Sequence, residues 1–246
     1  MTVTSSDREA LAHGKITTKP LREKPKVPSW ALKMTMAVTG IIFGLFVIVH
    51  MLGNLKVFSG AESFDTYAHF LRTMGYPIAP NESLLWAFRI VLLVAVVLHV
   101  YGAFALQARS RQSRGKFRRQ GMVSGWNTFT ARTMLVTGVV LLAFIIFHIM
   151  DLTMGVVVAP SDFVHGEAYQ NLISSFQRPA VAIWYVIAQL ALLLHLSHGL
   201  WTASSDLGVT GHRWRKFILF LSGLIPLVVV VGNIAIPVAV MTGLVS

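Results

Sequence analysis

Five long apolar runs, separated by polar and strongly basic stretches, set the pattern of this chain. They lie near 31–54, 84–107, 132–154, 180–204 and 217–242. Each is long enough to cross roughly 30 Å of hydrocarbon as a helix, which takes about 20 residues. None has the alternating polar and apolar positions of a barrel strand, and backbone inside lipid must satisfy its own hydrogen bonds. The pattern predicts an all-α fold, an integral membrane bundle of five transmembrane helices. It forms a single membrane domain over 1–246, with a polar arm at 1–30.

Charge orients the bundle. Seven Lys and Arg residues lie between the first residue and Lys33, and seven more in the stretch ARSRQSRGKFRRQGMVSGWNTFTAR between the second and third spans. Arg213, Arg215 and Lys216 lie between the fourth and fifth spans. Against these seventeen, the alternate connections carry only Lys56, Arg72 and Arg178. Basic loops stay in the cytoplasm, so the N-terminus is expected inside and the C-terminus outside, in the inner (cytoplasmic) membrane of the cell. The net charge of +11 would suit nucleic acid, but its arrangement in blocks between spans is a topology signal, and no nucleic-acid partner is expected. The first 27 residues contain no apolar core of a cleavable signal, so they are expected to remain as a cytoplasmic arm.

Composition narrows the chemistry. The chain is 54% hydrophobic and only 13% charged, with a mean hydropathy of +0.65. It has no cysteine, which excludes disulfides, thiolate-held iron–sulfur clusters and covalent c-type haem within the chain.

An internal repeat joins the first two spans to the next two. MAVTGIIFGLFVIVH at 36–50 and MLVTGVVLLAFIIFH at 134–148 align at a constant offset of 98, with Val-Thr-Gly and the closing histidine in register. The second and fourth spans match more weakly, as VVLHV around His99 and LLLHL around His195. The fifth span has no counterpart.

Histidines mark the candidate chemistry: His50, His99, His148, and His195 with His198, on four consecutive apolar spans. An ionisable residue at membrane depth points to function, although a lone imidazole there also serves as a hydrogen-bond partner between helices. The alternating helix directions place His50 and His148 in an outer layer, and His99 and His195 in an inner one. The layers are expected to lie roughly 15 Å apart at 1.5 Å rise per residue. Two opposed imidazoles at one depth make the bis-axial site of a b-type haem. Zinc suits the arrangement less, since neither layer supplies a thiolate or a further ligand.

These residues resemble the diheme cytochrome b membrane anchors of bacterial succinate:menaquinone oxidoreductases and fumarate reductases. The resemblance is carried by HGKITTKPLREKPKVPSWALKMTMAVTG, GLFVIVHMLGNLKVF, VVLHVYGA, FIIFHIMDL and LLLHLSHGLW, and spans essentially the whole chain. The arm running into the first span looks like actinobacterial members. The resemblance implies two haem b groups, the outer on His50 and His148 and the inner on His99 and His195. It also implies menaquinone as acceptor, and as partners a flavoprotein subunit that oxidises succinate and an iron–sulfur subunit on the cytoplasmic face. The chain itself would carry out no succinate chemistry. In the family the fourth ligand stands four residues before a Gly-Leu-aromatic run; Gly199-Leu200-Trp201 thus points to His195. Some fumarate reductases carry a glutamate two residues before that ligand, where this chain has Leu193. The resemblance therefore does not extend a proton route through that carboxylate to this chain.

Other residues have two readings each. His198, one turn nearer the cytoplasm, suits a propionate or quinone contact. Asn54, His69 and Asp151 are candidate quinone contacts near the outer end, as are Glu62, Asp65, Tyr67 and Arg72, with capping or solvation as the plainer alternative. Gly40, Gly44 and Gly138 admit either a macrocycle or a neighbouring helix. Pro226 and Pro237 are expected to bend the fifth span. A diheme subunit of a hydrogenase or formate dehydrogenase, and a histidine-relay proton transporter without haem, are the alternative functions.

Overall fold

Proline and glycine punctuate the helices much as their backbone chemistry requires. Pro28 precedes the first helix, and Pro179 occupies the first turn of another, where its missing N–H costs nothing. Gly155, at φ +66°, takes the left-handed conformation that ends a third. The computed structural model of the chain describes residues 26–114 and 126–246, together with Ala12 and His13. Most of the expected N-terminal arm, and the basic stretch 115–125, lie outside these residues.

The elements are α1 (Ser29–Asn54), continued by a 3₁₀ segment (Leu55–Ser59), then α2 (Ala61–Thr73) and α3 (Ser83–Arg114). They continue with α4 (Trp126–Ile149), extended by a π-helical turn (Met150–Met154), then α5 (Ala168–Phe176), α6 (Pro179–Asp206) and α7 (His212–Met241). The five helices α1, α3, α4, α6 and α7 are long and apolar enough to cross a membrane, as the hydropathy pattern predicts. Three outrun the predicted spans at their basic ends. α3 continues to Arg114, α4 begins at Trp126 and α7 at His212, because a helix persists into polar sequence whereas the apolar run marks only the part in lipid. α7 continues through the buried Pro226 and Pro237. Neither ring has an N–H for the carbonyl four residues earlier.

α1 packs between α3 and α6, α4 packs on α6, and α7 lies along α6 and touches α1. The order across the bundle is therefore α3, α1, α6, α4, and among the described residues no packed interface closes α4 onto α3. Large apolar side chains of α3 (Leu93, Val94, Val97) and α7 (Leu227, Val228, Val231) are exposed, as surfaces that meet lipid tails rather than water should be.

Two short amphipathic helices, α2 and α5, lie in the connections between the long apolar spans. They form a cap over one end of the bundle. Phe64 of α2 and Leu172, Ile173 and Phe176 of α5 join Val57, Tyr185, Ile236 and Val240 in the main buried cluster. Asp65 accepts a hydrogen bond from the Tyr169 N–H at 2.9 Å, tying α2 to the first turn of α5. Asn171 closes the preceding loop by bonding both backbone groups of Val164, at 2.9 and 2.7 Å. The molecule thus has a capped end and a basic end.

Candidate functional site

The four paired histidines come from four different helices and meet across the bundle. His50 of α1 faces His148 of α4, ring centroids 5.7 Å apart, near the capped end. His99 of α3 faces His195 of α6 at 6.3 Å, nearer the basic end. Gly40 lies beside His99 and Gly138 beside His195. Each stands ten residues before the other histidine of its own helix, so the two layers are separated by about 15 Å along the helices.

The repeat builds each half of the site with the same parts. Thr39 donates its hydroxyl proton to the Thr35 carbonyl at 2.7 Å, leaving its oxygen to accept from His99 Nδ1 at 2.9 Å. Thr137 does the same, donating to Thr133 at 3.0 Å and accepting from His195 Nδ1 at 3.1 Å. A proton held on Nδ1 leaves Nε2 as the basic nitrogen, free to bind a metal. Gly40 and Gly138 make room for the rings: a Cβ would stand 3.6 Å from His99 Cε1 and 3.3 Å from His195 Cε1. Gly44, by contrast, faces Leu196 and Leu200 and serves the packing of α1 on α6. In the other layer Phe46 stacks on His50 at 5.2 Å and Phe144 on His148 at 5.7 Å, again equivalent positions of the repeat.

These pairs fit haem b by two tests. A metal held by one nitrogen of each ring needs facing centroids about 6 Å apart, since metal–nitrogen bonds run about 2 Å and a ring nitrogen lies about 1 Å from its centroid. Both observed separations meet that requirement. Two imidazoles also suffice only for a metal whose remaining positions are already occupied, as in a porphyrin. Among the described residues no group of three or more His, Cys, Asp or Glu could serve a bare ion.

The layers differ in one respect. His148 Nδ1 lies 3.3 Å from the Tyr185 hydroxyl, which in turn donates to Asp151 Oδ2 at 3.0 Å. Asp151, on the π-helical turn, is fully buried, and also accepts from Ser175 and, at 2.6 Å, from Arg178. Arg178 donates further to the Val158 carbonyl at 2.6 Å. Nothing in the sequence marks Tyr185 or Ser175, and it marks Arg178 only as a charge in a connection, because their shared partner Asp151 is distant in the chain. Thr39 and Thr137 were visible as repeat positions, but with no stated role.

The remaining candidates are dispersed. His198 pairs with the buried Thr130 of α4 at 3.2 Å, one turn from His195 toward the basic end. Asn54 is half-buried at the end of α1, and His69 is exposed on α2. Tyr67 lies over Gly53, with Lys56 5.7 Å above its ring. An open surface cavity of about 540 Å³, lined by Lys56, Glu62, Thr66, Tyr67 and Phe70, occupies the capped end.

In comparisons with known proteins, the chain is similar to the succinate dehydrogenase cytochrome b558 subunit of Bacillus subtilis (strain 168). The two are 27% identical over 177 residues, 71% of this chain and 78% of that protein. No family model matches the chain, and no solved structure does.

Proposed function

We propose that this chain, a relative of the succinate dehydrogenase cytochrome b subunits, is a diheme membrane anchor that carries electrons from an iron–sulfur subunit to menaquinone. The observation that carries this reading is the two facing histidine pairs, each on opposed helices and built from repeat-related parts. Haem b, when bound, supplies a one-electron carrier at each level. The chain's own residues do the rest. His50 with His148, and His99 with His195, would hold the two groups, while Thr39 and Thr137 set the imidazoles of the second pair with Nε2 inward.

In this reading the basic end faces the cytoplasm of the inner membrane and receives the iron–sulfur and flavoprotein subunits. Arg109, Arg213, Arg215 and Lys216 lie there, where opposite charge on a partner would speed and orient docking. His198 sits at that end, within reach of a propionate or quinone. Asn54 and His69 border the capped end, where a second quinone contact belongs.

The test is a dithionite-reduced minus oxidised spectrum with haem counted per chain. Two b haems per chain are expected. His50→Ala and His148→Ala should each remove the same haem and spare the other. A histidine-relay transporter would show no b-type bands, and copurification with a hydrogenase or formate dehydrogenase in place of a succinate-oxidising flavoprotein would assign the subunit to another complex.

A further inference from the structure

The His148–Tyr185–Asp151 chain breaks the symmetry of a site otherwise built twice. His50, across from His148, has no hydrogen-bond partner on its ring among the described residues. The α3 position ten residues ahead of His99, as Tyr185 is ahead of His195, holds Arg89, turned over Trp86 at 4.8 Å. One imidazole of the four therefore rests, through a tyrosine, on a carboxylate.

The proton order along this chain is set by its ends. Asp151 takes donors from Ser175, Tyr185 and Arg178, so it is the acceptor and carries the charge. The single Tyr185 proton goes to Asp151, and the Tyr185 oxygen then accepts from His148 Nδ1. His148 consequently presents Nε2 with its electron density raised by the accepting carboxylate at the end of the chain, whose charge Arg178 partly balances. A more basic axial nitrogen favours the ferric over the ferrous state, and hydrogen bonding beyond the axial ligand is one of the levers a protein has over haem potential. A mere clamp for the capped end would be as well served by apolar packing, since burying a carboxylate to pair it with the half-buried Arg178 seldom adds net stability. The tyrosine is itself packed for rigidity, with Phe176 at 4.8 Å and Phe144 at 5.0 Å.

We propose that Tyr185 and Asp151 are positioning residues for His148, which orient its ring and lower the potential of the haem held by His50 and His148. This inference rests on the diheme reading, and its test separates the two. In the purified complex, Tyr185→Phe keeps the ring and its packing while removing the relay. Asp151→Asn keeps the size and planar shape of the side chain while removing the charge and one of the two acceptor oxygens. Both variants should retain two haems per chain. In redox titration, the haem that His148→Ala removes should shift to higher potential, with the other haem unmoved. Unchanged midpoints in both variants, equal shifts of both haems, or loss of that haem from both variants would overturn the proposal. Absence of haem from the unsubstituted chain would instead overturn the reading beneath it.

Discussion

At the scale of residues, small differences at equivalent positions have unequal consequences. Gly40 and Gly138 have the same task, but a methyl group at Gly138 would press on His195 at 3.3 Å, whereas at Gly40 it would meet His99 at an ordinary 3.6 Å. Gly138→Ala is therefore expected to tilt His195 and change the low-temperature EPR signal of one haem, with Gly40→Ala milder on the same signal. Equal effects of the two would contradict the geometry. The four paired histidines were legible in the sequence because an imidazole in an apolar run stands out by itself. Thr39 and Thr137 were legible only as repeated letters. Their role depends on a ring from another helix, and no spacing within one helix encodes that. In the sequence Asp151 is a candidate for either a quinone contact or a cap near the outer end. The folded chain surrounds it with Ser175, Tyr185 and Arg178 and leaves it no exposed surface.

At the scale of elements, the long helices followed from apolar length, but α2 and α5 did not. In α2 the apolar positions Phe64, Tyr67, Ala68 and Leu71 recur at helical spacing within sequence too short and too charged to register as a span, while α5 is simply too short. What makes them matter is docking on the capped end, and Asp65 shows how that docking is held. Its carboxylate takes the place of a local cap for Tyr169 in the first turn of α5. Asp65→Ala is expected to cost about 1 kcal/mol, the usual worth of a helix cap. It should lower the detergent melting temperature while leaving the haem spectrum intact. A spectral change without a stability loss would mean that Asp65 acts on the site rather than on the cap. The Lys33–Asp206 pair, at 3.3 Å and exposed, belongs to the opposite class of contact, since surface ion pairs contribute little.

At the scale of the molecule, the two halves of the repeat face each other so that each haem would be gripped by one helix from each half. α1 and α3 supply His50 and His99, and α4 and α6 supply His148 and His195. Among the described residues α3 and α4 do not close on each other, so the halves are joined through α1 and α6 while both histidine pairs cross the bundle. Five crossings by the helices long and apolar enough to span would put the two ends of the chain on opposite sides of the membrane. Reporter fusions check this: an alkaline phosphatase fused after Ser246 should be active, and one placed in the 115–125 loop should be silent. The reverse pattern would overturn the orientation read from the basic blocks.

The pattern of apolar runs and basic blocks was enough for the number of spans, the internal repeat and the histidines, because hydrocarbon imposes its demands on each segment separately. A helix in lipid must be long and apolar whatever its neighbours are. Which histidine faces which was expected from depth, and the folded chain places the rings 5.7 and 6.3 Å apart. The hydroxyls behind the His99 and His195 rings, and the carboxylate that singles out His148, belong to the packing of helices distant in sequence. They emerge only in three dimensions, because a hydrogen bond across a bundle depends on rotation and register that local hydropathy does not contain.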